Sequence, residues 1–141
     1  MRTTTNIKIR GYHIDQFGHV NNARYLEFLE EGRWDYMESN SLIFAFHSNN
    51  LQHSVVSILI NYRKSAFSGQ IISVETGLLK KTRQSIIIQQ QLYLKNTEIL
   101  IADAEITNVF QDSRSGNIVP VNENLYETWP ALSELPEETK Q

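Results

Sequence analysis

The sequence predicts an α+β domain in which one long helix is wrapped by an antiparallel sheet of about five strands. Three observations carry that prediction. From Ala23 to Glu38 the chain has helical period, with Tyr25, Leu26, Phe28, Leu29, Gly32, Tyr36 and Met37 on one side and Arg24, Glu27, Glu31, Asp35 and Glu38 on the other. After Gln52 about sixty positions are rich in β-branched residues that alternate with polar ones. The segments between these runs are too short for parallel crossovers, which need about a dozen residues or more, so neighbouring strands pair antiparallel.

The elements follow in order. Ile7 to Arg10 forms a short strand ending at Gly11, and Tyr12 to Asn22 is a polar loop before the helix. Leu42 to Phe46, flanked by Ser and Asn, is a connection with room for a turn of helix. Four strands then succeed one another. Val56, Ile58, Ile60 and Tyr62 share one face of the first, and Ile72, Val74, Thr76 and Leu78 one face of the second. Ser85–Lys95 and Ile99–Phe110 make the third and fourth, joined by a hairpin turn at Asn96-Thr97. Ser113–Gly116 is a turn, and Asn117–Asn122 extends the sheet edge. The domain is expected over residues 1–129, and the acidic stretch 130–141, with Pro130 and Pro136, is expected to be a poorly ordered tail. The amphipathic helix is the cover that the apolar sheet face requires. The opposite face carries Val55, Leu59, Ile71, Leu79, Ile87 and Tyr93, which calls for a partner subunit, a homodimer or homotetramer.

Composition narrows the function. The chain has 141 residues, 40% of them apolar, which fits one folded unit with a substantial core. Thirteen Lys and Arg against sixteen Asp and Glu give a net charge of −3, so no overall positive field serves nucleic acid or an anionic membrane. The count of zero Cys excludes disulfides, a thiolate metal site and a cysteine nucleophile. No apolar run approaches the ~20 residues of a membrane span, and Met1–Asn6 leads into no apolar stretch, so a cytoplasmic protein is expected.

The chemistry concentrates in the loop before the helix, Tyr12-His13-Ile14-Asp15-Gln16-Phe17-Gly18-His19-Val20-Asn21-Asn22. Asn21 is a good N-cap, and Val20 with Tyr25 would staple the first turn, although Arg24 denies a capping box. A helix starting at Asn22 has a first backbone N–H with no intrahelical acceptor, at the positive end of the helix dipole, where a developing oxyanion is stabilised. Gly18 lets the loop turn back so that Asp15 points at the same space. An acid beside an oxyanion donor suits a thioester carbonyl, open to attack by the carboxylate itself or by water that it deprotonates. The plainer alternative is that Asp15 only caps a turn and the asparagines only start the helix.

The run from Asp15 to Tyr25, followed by Glu30-Glu31-Gly32-Arg33, resembles the signature of the 4-hydroxybenzoyl-CoA thioesterase branch of the hotdog-fold acyl-CoA thioesterases. The similarity continues through Ile60-Asn61-Tyr62-Arg63-Lys64-Ser65-Ala66 and Ser68-Gly69-Gln70, and the order of elements matches from about Asn6 to Val121. The family usually has Pro at the position of Ser65 and often an acidic residue at Gln70; neither position is catalytic. The resemblance implies a single hotdog domain that hydrolyses acyl-CoA to free acid and CoA. In it the carboxylate at Asp15 is catalytic and the amide at Asn22 polarises the carbonyl. Gly18 and Tyr25 of the same run are implied to contact substrate. No cofactor is implied, since coenzyme A belongs to the substrate. Two rivals share the fold: a hotdog acyl-thioester-binding protein without turnover, and a hotdog 3-hydroxyacyl-thioester dehydratase relying on a His and an acid.

His19 is close enough to Asp15 in sequence to orient it or touch substrate, or else to bond only loop backbone. His13, His19, His47 and His53 have no metal-ligand spacing, and no metal is assigned. Arg63, Lys64, Lys80, Lys81 and Arg83 fall at strand ends; of these Arg63, Lys64, Lys81 and Arg83 are the candidates for holding the coenzyme A phosphates, against the alternative of solvated faces. Arg33 is expected to pair with Glu30 or Glu31.

Overall fold

A computed structural model of the chain describes residues 1–138. Six strands form one antiparallel sheet: β1 (Thr3–Lys8), β2 (Leu51–Tyr62), β3 (Ile71–Lys81), β4 (Ser85–Leu94), β5 (Leu100–Asp112) and the short β6 (Ile118–Val119). Their order is β1-β3-β4-β5-β2, with β6 pairing β5. Three helices join them: α1 (Asn22–Ser39), α2 (Leu42–Ser48) and α3 (Glu123–Thr128). The predicted α+β class and single long helix under an antiparallel sheet are what the chain adopts.

The buried face of α1, Tyr25, Phe28, Leu29, Gly32, Tyr36 and Met37, packs into one core with Ile72, Val74, Ile86, Ile88, Leu92, Ala104 and Ile106 of the sheet. Gly32 sets how close the layers come. A Cβ there would lie 2.7 Å from Val74 Cγ1 and 2.9 Å from Gln90 Nε2. The buried Gln90 amide donates to the Leu29 carbonyl and to Thr76 Oγ1, both at 2.9 Å, so hydrogen bonds tie helix to sheet where the two come closest. The Asn96-Thr97 turn forms, with Asn96 at φ 63° and Thr97 N–H donating to the Leu94 carbonyl.

Several elements depart from expectation. The first strand is Thr3–Lys8 rather than Ile7–Arg10, because β3 offers it a ladder from Thr76 to Ile71. A bulge in β2 between Val55 and Ser57 shifts the register, so Val56, expected inside, is 58% exposed. Val55, expected on the outer face with Leu59, instead lines the same cavity as His53. Ile87 is already buried within the chain, whereas Leu59 is 61% exposed. Leu26 of α1 is exposed rather than buried. The expectation of a poorly ordered tail is corrected over Pro130–Glu138: Pro130–Glu134 forms a 3-10 helix that buries Leu132, Glu137 bridges to Lys81, and Lys80 pairs with Glu138. Two prolines stop an α-helix there, but the apolar Leu132 and Leu135 still dock on the core. Residues 139–141 of that stretch lie outside the described residues.

Candidate active site

The loop between β1 and α1 is built on its own backbone. Ile14 and Val20 form an isolated antiparallel bridge, and Asp15 N–H donates to the His19 carbonyl at 3.0 Å. Gly18 closes the turn at φ 87°, a left-handed conformation that glycine adopts without strain. Asp15 Oδ1 accepts the Phe17 N–H at 2.8 Å, the bond of an Asx turn. His13 is buried, with Nδ1 accepting the Arg10 N–H at 2.9 Å and its ring edge-on to Phe28. Burial and then the Arg24 charge hold this histidine below its ordinary pKa, which keeps the accepting nitrogen unprotonated.

Asn21 caps α1 by accepting the Ala23 N–H at 2.9 Å, and Val20 and Tyr25 are both buried beneath the cap, as the staple predicts. Among the described residues the Asn22 N–H donates to no acceptor. Asn22 lines a cavity of about 160 Å³ together with His19, Val20, Tyr25, Tyr62, Arg63, Lys64 and Ser65. The cavity thus gathers His19, Asn22, Tyr25, Arg63 and Lys64 of the expected set. Tyr25 presents a buried phenol, and burial raises its pKa, so it stays neutral. Asp15 is half-buried in the adjoining loop and is not among the lining residues; its Oδ2 accepts no hydrogen bond among the described residues.

Tyr62, which the sequence reading did not single out, supplies one wall. Its hydroxyl donates to the Asn22 carbonyl at 3.2 Å and its ring lies 5.5 Å from that of Tyr25. Alternation along β2 already puts Tyr62 on the helix side with Ile58 and Ile60, and that parity was the signal available.

The basic candidates divide. Arg63 Nε is paired with Asp103 Oδ2 at 2.7 Å on the rim, and this bond holds the Asp103 carboxyl below its usual range. The Lys64 ammonium is exposed, with no side-chain partner among the described residues. Lys81 is corrected: it is buried, with Nζ donating to the carbonyls of Leu132 at 2.9 Å and Ser133 at 3.3 Å and lying over the Tyr126 ring. Desolvation and those carbonyls make it a clamp on the C-terminal segment. Arg83 sits in the β3–β4 turn, beside strand rows that lead to Val55 instead of Tyr62, about 20 Å from the Asn22 cavity within one chain at ~3.3 Å per strand residue. Arg33 also departs from expectation, donating from Nη1 to Gln90 Oε1 at 3.0 Å instead of pairing with Glu30 or Glu31. Among the described residues no group of three or more His, Cys, Asp or Glu could hold a metal ion, and no helix is long and apolar enough to cross a membrane.

The chain matches the Thioesterase-like superfamily over residues 9–140. It is 39% identical over 123 residues to the long-chain acyl-CoA thioesterase FadM of Escherichia coli (strain K12), a match spanning 87% of this chain and 93% of that protein. The crystal structure of YbaW, a probable thioesterase from Escherichia coli, superposes with a TM-score of 0.85 at 37% identity, covering 92% of this chain and 97% of the other. A mutant 4-hydroxybenzoyl-CoA thioesterase crystallised with 4-hydroxybenzoyl-CoA shares the fold at a TM-score of 0.77 and 15% identity, covering 90% and 97% of the two chains. A matched run that takes in the loop before α1, the capped start of that helix and strands β2 to β6 leaves one conclusion: the chain belongs to the thioesterase-like superfamily and is a thioester hydrolase of the hotdog fold.

Proposed function

We propose that the protein hydrolyses acyl-CoA thioesters to the free acid and CoA, with the amide of Asn22 as oxyanion donor and Asp15 as the catalytic carboxylate. The observation that carries this reading is the unspent N–H of Asn22, a residue that lines a cavity at the capped start of an 18-residue helix, one loop away from Asp15. The likeness to FadM supports an acyl-CoA substrate.

In this reading the thioester oxygen accepts the Asn22 N–H, and negative charge developing there meets the positive end of α1. Asp15 either deprotonates a water that adds to the carbonyl carbon or adds through its own oxygen; collapse of the tetrahedral species breaks the C–S bond and expels the CoA thiolate, and in the second case a water then cleaves the acyl-Asp15 anhydride to the free acid and restores the carboxylate. Tyr62 holds Asn22 by its carbonyl, one peptide group beyond the donor N–H, and His19 forms the wall next to the loop. The chemistry needs no cofactor beyond the coenzyme A of the substrate, and no metal. Arg63 and Lys64 are the cations that remain for the phosphates.

The working unit in this reading is a homodimer or homotetramer in the cytoplasm. Its support is β2, a 12-residue outer strand that exposes Val55, Val56 and Leu59. Light scattering at micromolar concentration tests it: a mass of two or four chains is expected, and that of a single chain contradicts it. Release of free thiol from a panel of acyl-CoA and acyl carrier protein thioesters tests the activity. Turnover of at least one acyl-CoA above the enzyme-free rate is expected; none across the panel refutes the reading.

A further inference from the structure

A second cavity, of about 340 Å³, lies at the other end of the seam between α1 and β2, lined by Glu30, Arg33, Trp34, Met37, His53 and Val55. One stripe of α1 joins it to the first. Asn22, Leu26, Glu30, Arg33 and Met37 recur at intervals of three or four residues and therefore line one side of the helix. Across the seam the same face of β2 runs from Tyr62 through the half-buried Ile60 and Ile58 to Val55 and His53, the bulge at Val56 keeping the last two on that face. At about 1.5 Å of rise per residue, Arg33 lies ~16 Å along the axis from Asn22. An extended acyl chain, with C–C bonds of about 1.5 Å at near-tetrahedral angles, covers that distance in about twelve carbons.

The far cavity is not a hydrocarbon pocket throughout. Met37, Val55 and Trp34 are apolar, yet the Arg33 guanidinium is anchored among them by its single side-chain bond to Gln90, which leaves further N–H donors uncommitted among the described residues. His53 is anchored likewise, with Nδ1 3.3 Å from Asn108 Oδ1 and its ring against Phe46. Burial holds both groups below their ordinary pKa values. A bare methyl terminus reaching this point would strip water from those donors and return no acceptor. Glu30, in the same lining, disfavours a second carboxylate.

We infer that the cavity between Arg33 and His53 receives the distal end of the acyl chain and selects one carrying a neutral oxygen, a hydroxyl or keto group, about twelve carbons from the thioester. The inference rests on the acyl-CoA reading above and narrows its substrate class.

The test compares kcat/KM for dodecanoyl-CoA and its ω-hydroxylated form, and for hexanoyl-CoA and its ω-hydroxylated form, whose chain stops short of Arg33. The expected result is a preference of about tenfold or more for the hydroxylated dodecanoyl substrate, no such preference in the hexanoyl pair, and collapse of the dodecanoyl ratio towards one in Arg33→Met. The ratio, not the rate, is read, so a general loss of activity cancels. His53→Phe keeps the ring and reads the same ratio if Arg33→Met does not fold. Equal or reversed rates in the unaltered protein, a ratio that survives both substitutions, or a preference for an ω-carboxyl chain over the ω-hydroxyl one would overturn the inference while leaving the thioesterase reading intact. If no acyl-CoA is turned over, that reading fails instead, and the affinity ratio of the same two dodecanoyl thioesters by calorimetry still decides the inference, tenfold supporting it and parity overturning it.

Discussion

The Tyr62 hydroxyl donates to the Asn22 carbonyl at 3.2 Å, so the last residue of the outer strand holds the peptide group that begins the long helix. The carbonyl engaged by Tyr62 and the free N–H of the same residue face different tasks: one fixes position, the other is left for a ligand. Tyr62→Phe removes the tether and keeps the ring contact with Tyr25. Loss of an exposed hydrogen bond costs about 0.5 kcal/mol of stability in denaturant titrations, while kcat/KM for an acyl-CoA is expected to fall several-fold. Unchanged kcat/KM would mean that the cap at Asn21 positions the amide alone.

How much of this was legible beforehand depends on range. Asn21, Val20 and Tyr25 act on one another within five positions, so the cap and staple could be read from the sequence. Strand alternation located β3, β4 and β5. The bulge at Val56 could not be read, because it reflects pairing with β5 some fifty residues later; the faces of Val55 and Val56 were exchanged as a result. Lys81 failed for a related reason. Basic residues at strand ends are usually solvated, and only the return of Leu132 and Ser133 over β3 buries this one. Of the site, the Asn22 amide follows from helix-start chemistry, whereas Tyr62 belongs to it through a contact across forty positions.

Gly32 is the point where α1 meets the sheet most closely, with Val74, Gln90 and Thr76 where a side chain would go. Gly32→Val should therefore overpack the layer and strain the Gln90 amide that ties Leu29 to Thr76. A loss of about 2 kcal/mol or more is expected, read as a lower midpoint in thermal or chemical unfolding. An unchanged midpoint would show that the layers part at little cost.

Lys81→Met removes a buried cation and leaves the carbonyls of Leu132 and Ser133 without their donor. Stability is expected to fall by about 1–3 kcal/mol, with the C-terminal segment becoming sensitive to proteolysis, and KM for acyl-CoA to stay near that of the unaltered protein. Alanine at both Arg63 and Lys64 is expected to do the reverse, raising KM for acyl-CoA but not for a pantetheine thioester that lacks the nucleotide. Equal effects on the two substrates would remove these residues from phosphate binding.

His13 and His53 are both held below the ordinary histidine pKa, chiefly by burial. Below the unfolded value of about 6.5 the unfolded chain takes up protons that the folded one refuses, so stability is full above that pH and declines as the pH falls through the window down to the depressed folded values. A His53→Phe variant is expected to lose less stability than the unaltered protein between pH 7 and pH 5. A parallel decline in the two proteins would place the pH dependence elsewhere.

The most direct test of the site is thiol release from acyl-CoA by Asp15→Asn. The amide keeps the shape of the carboxylate and can still accept the Phe17 N–H, but it serves neither as base nor as nucleophile. With the fold intact by circular dichroism, kcat is expected to fall about 10²-fold or more. Turnover within a few fold of the unaltered protein would reduce Asp15 to its turn and contradict the account.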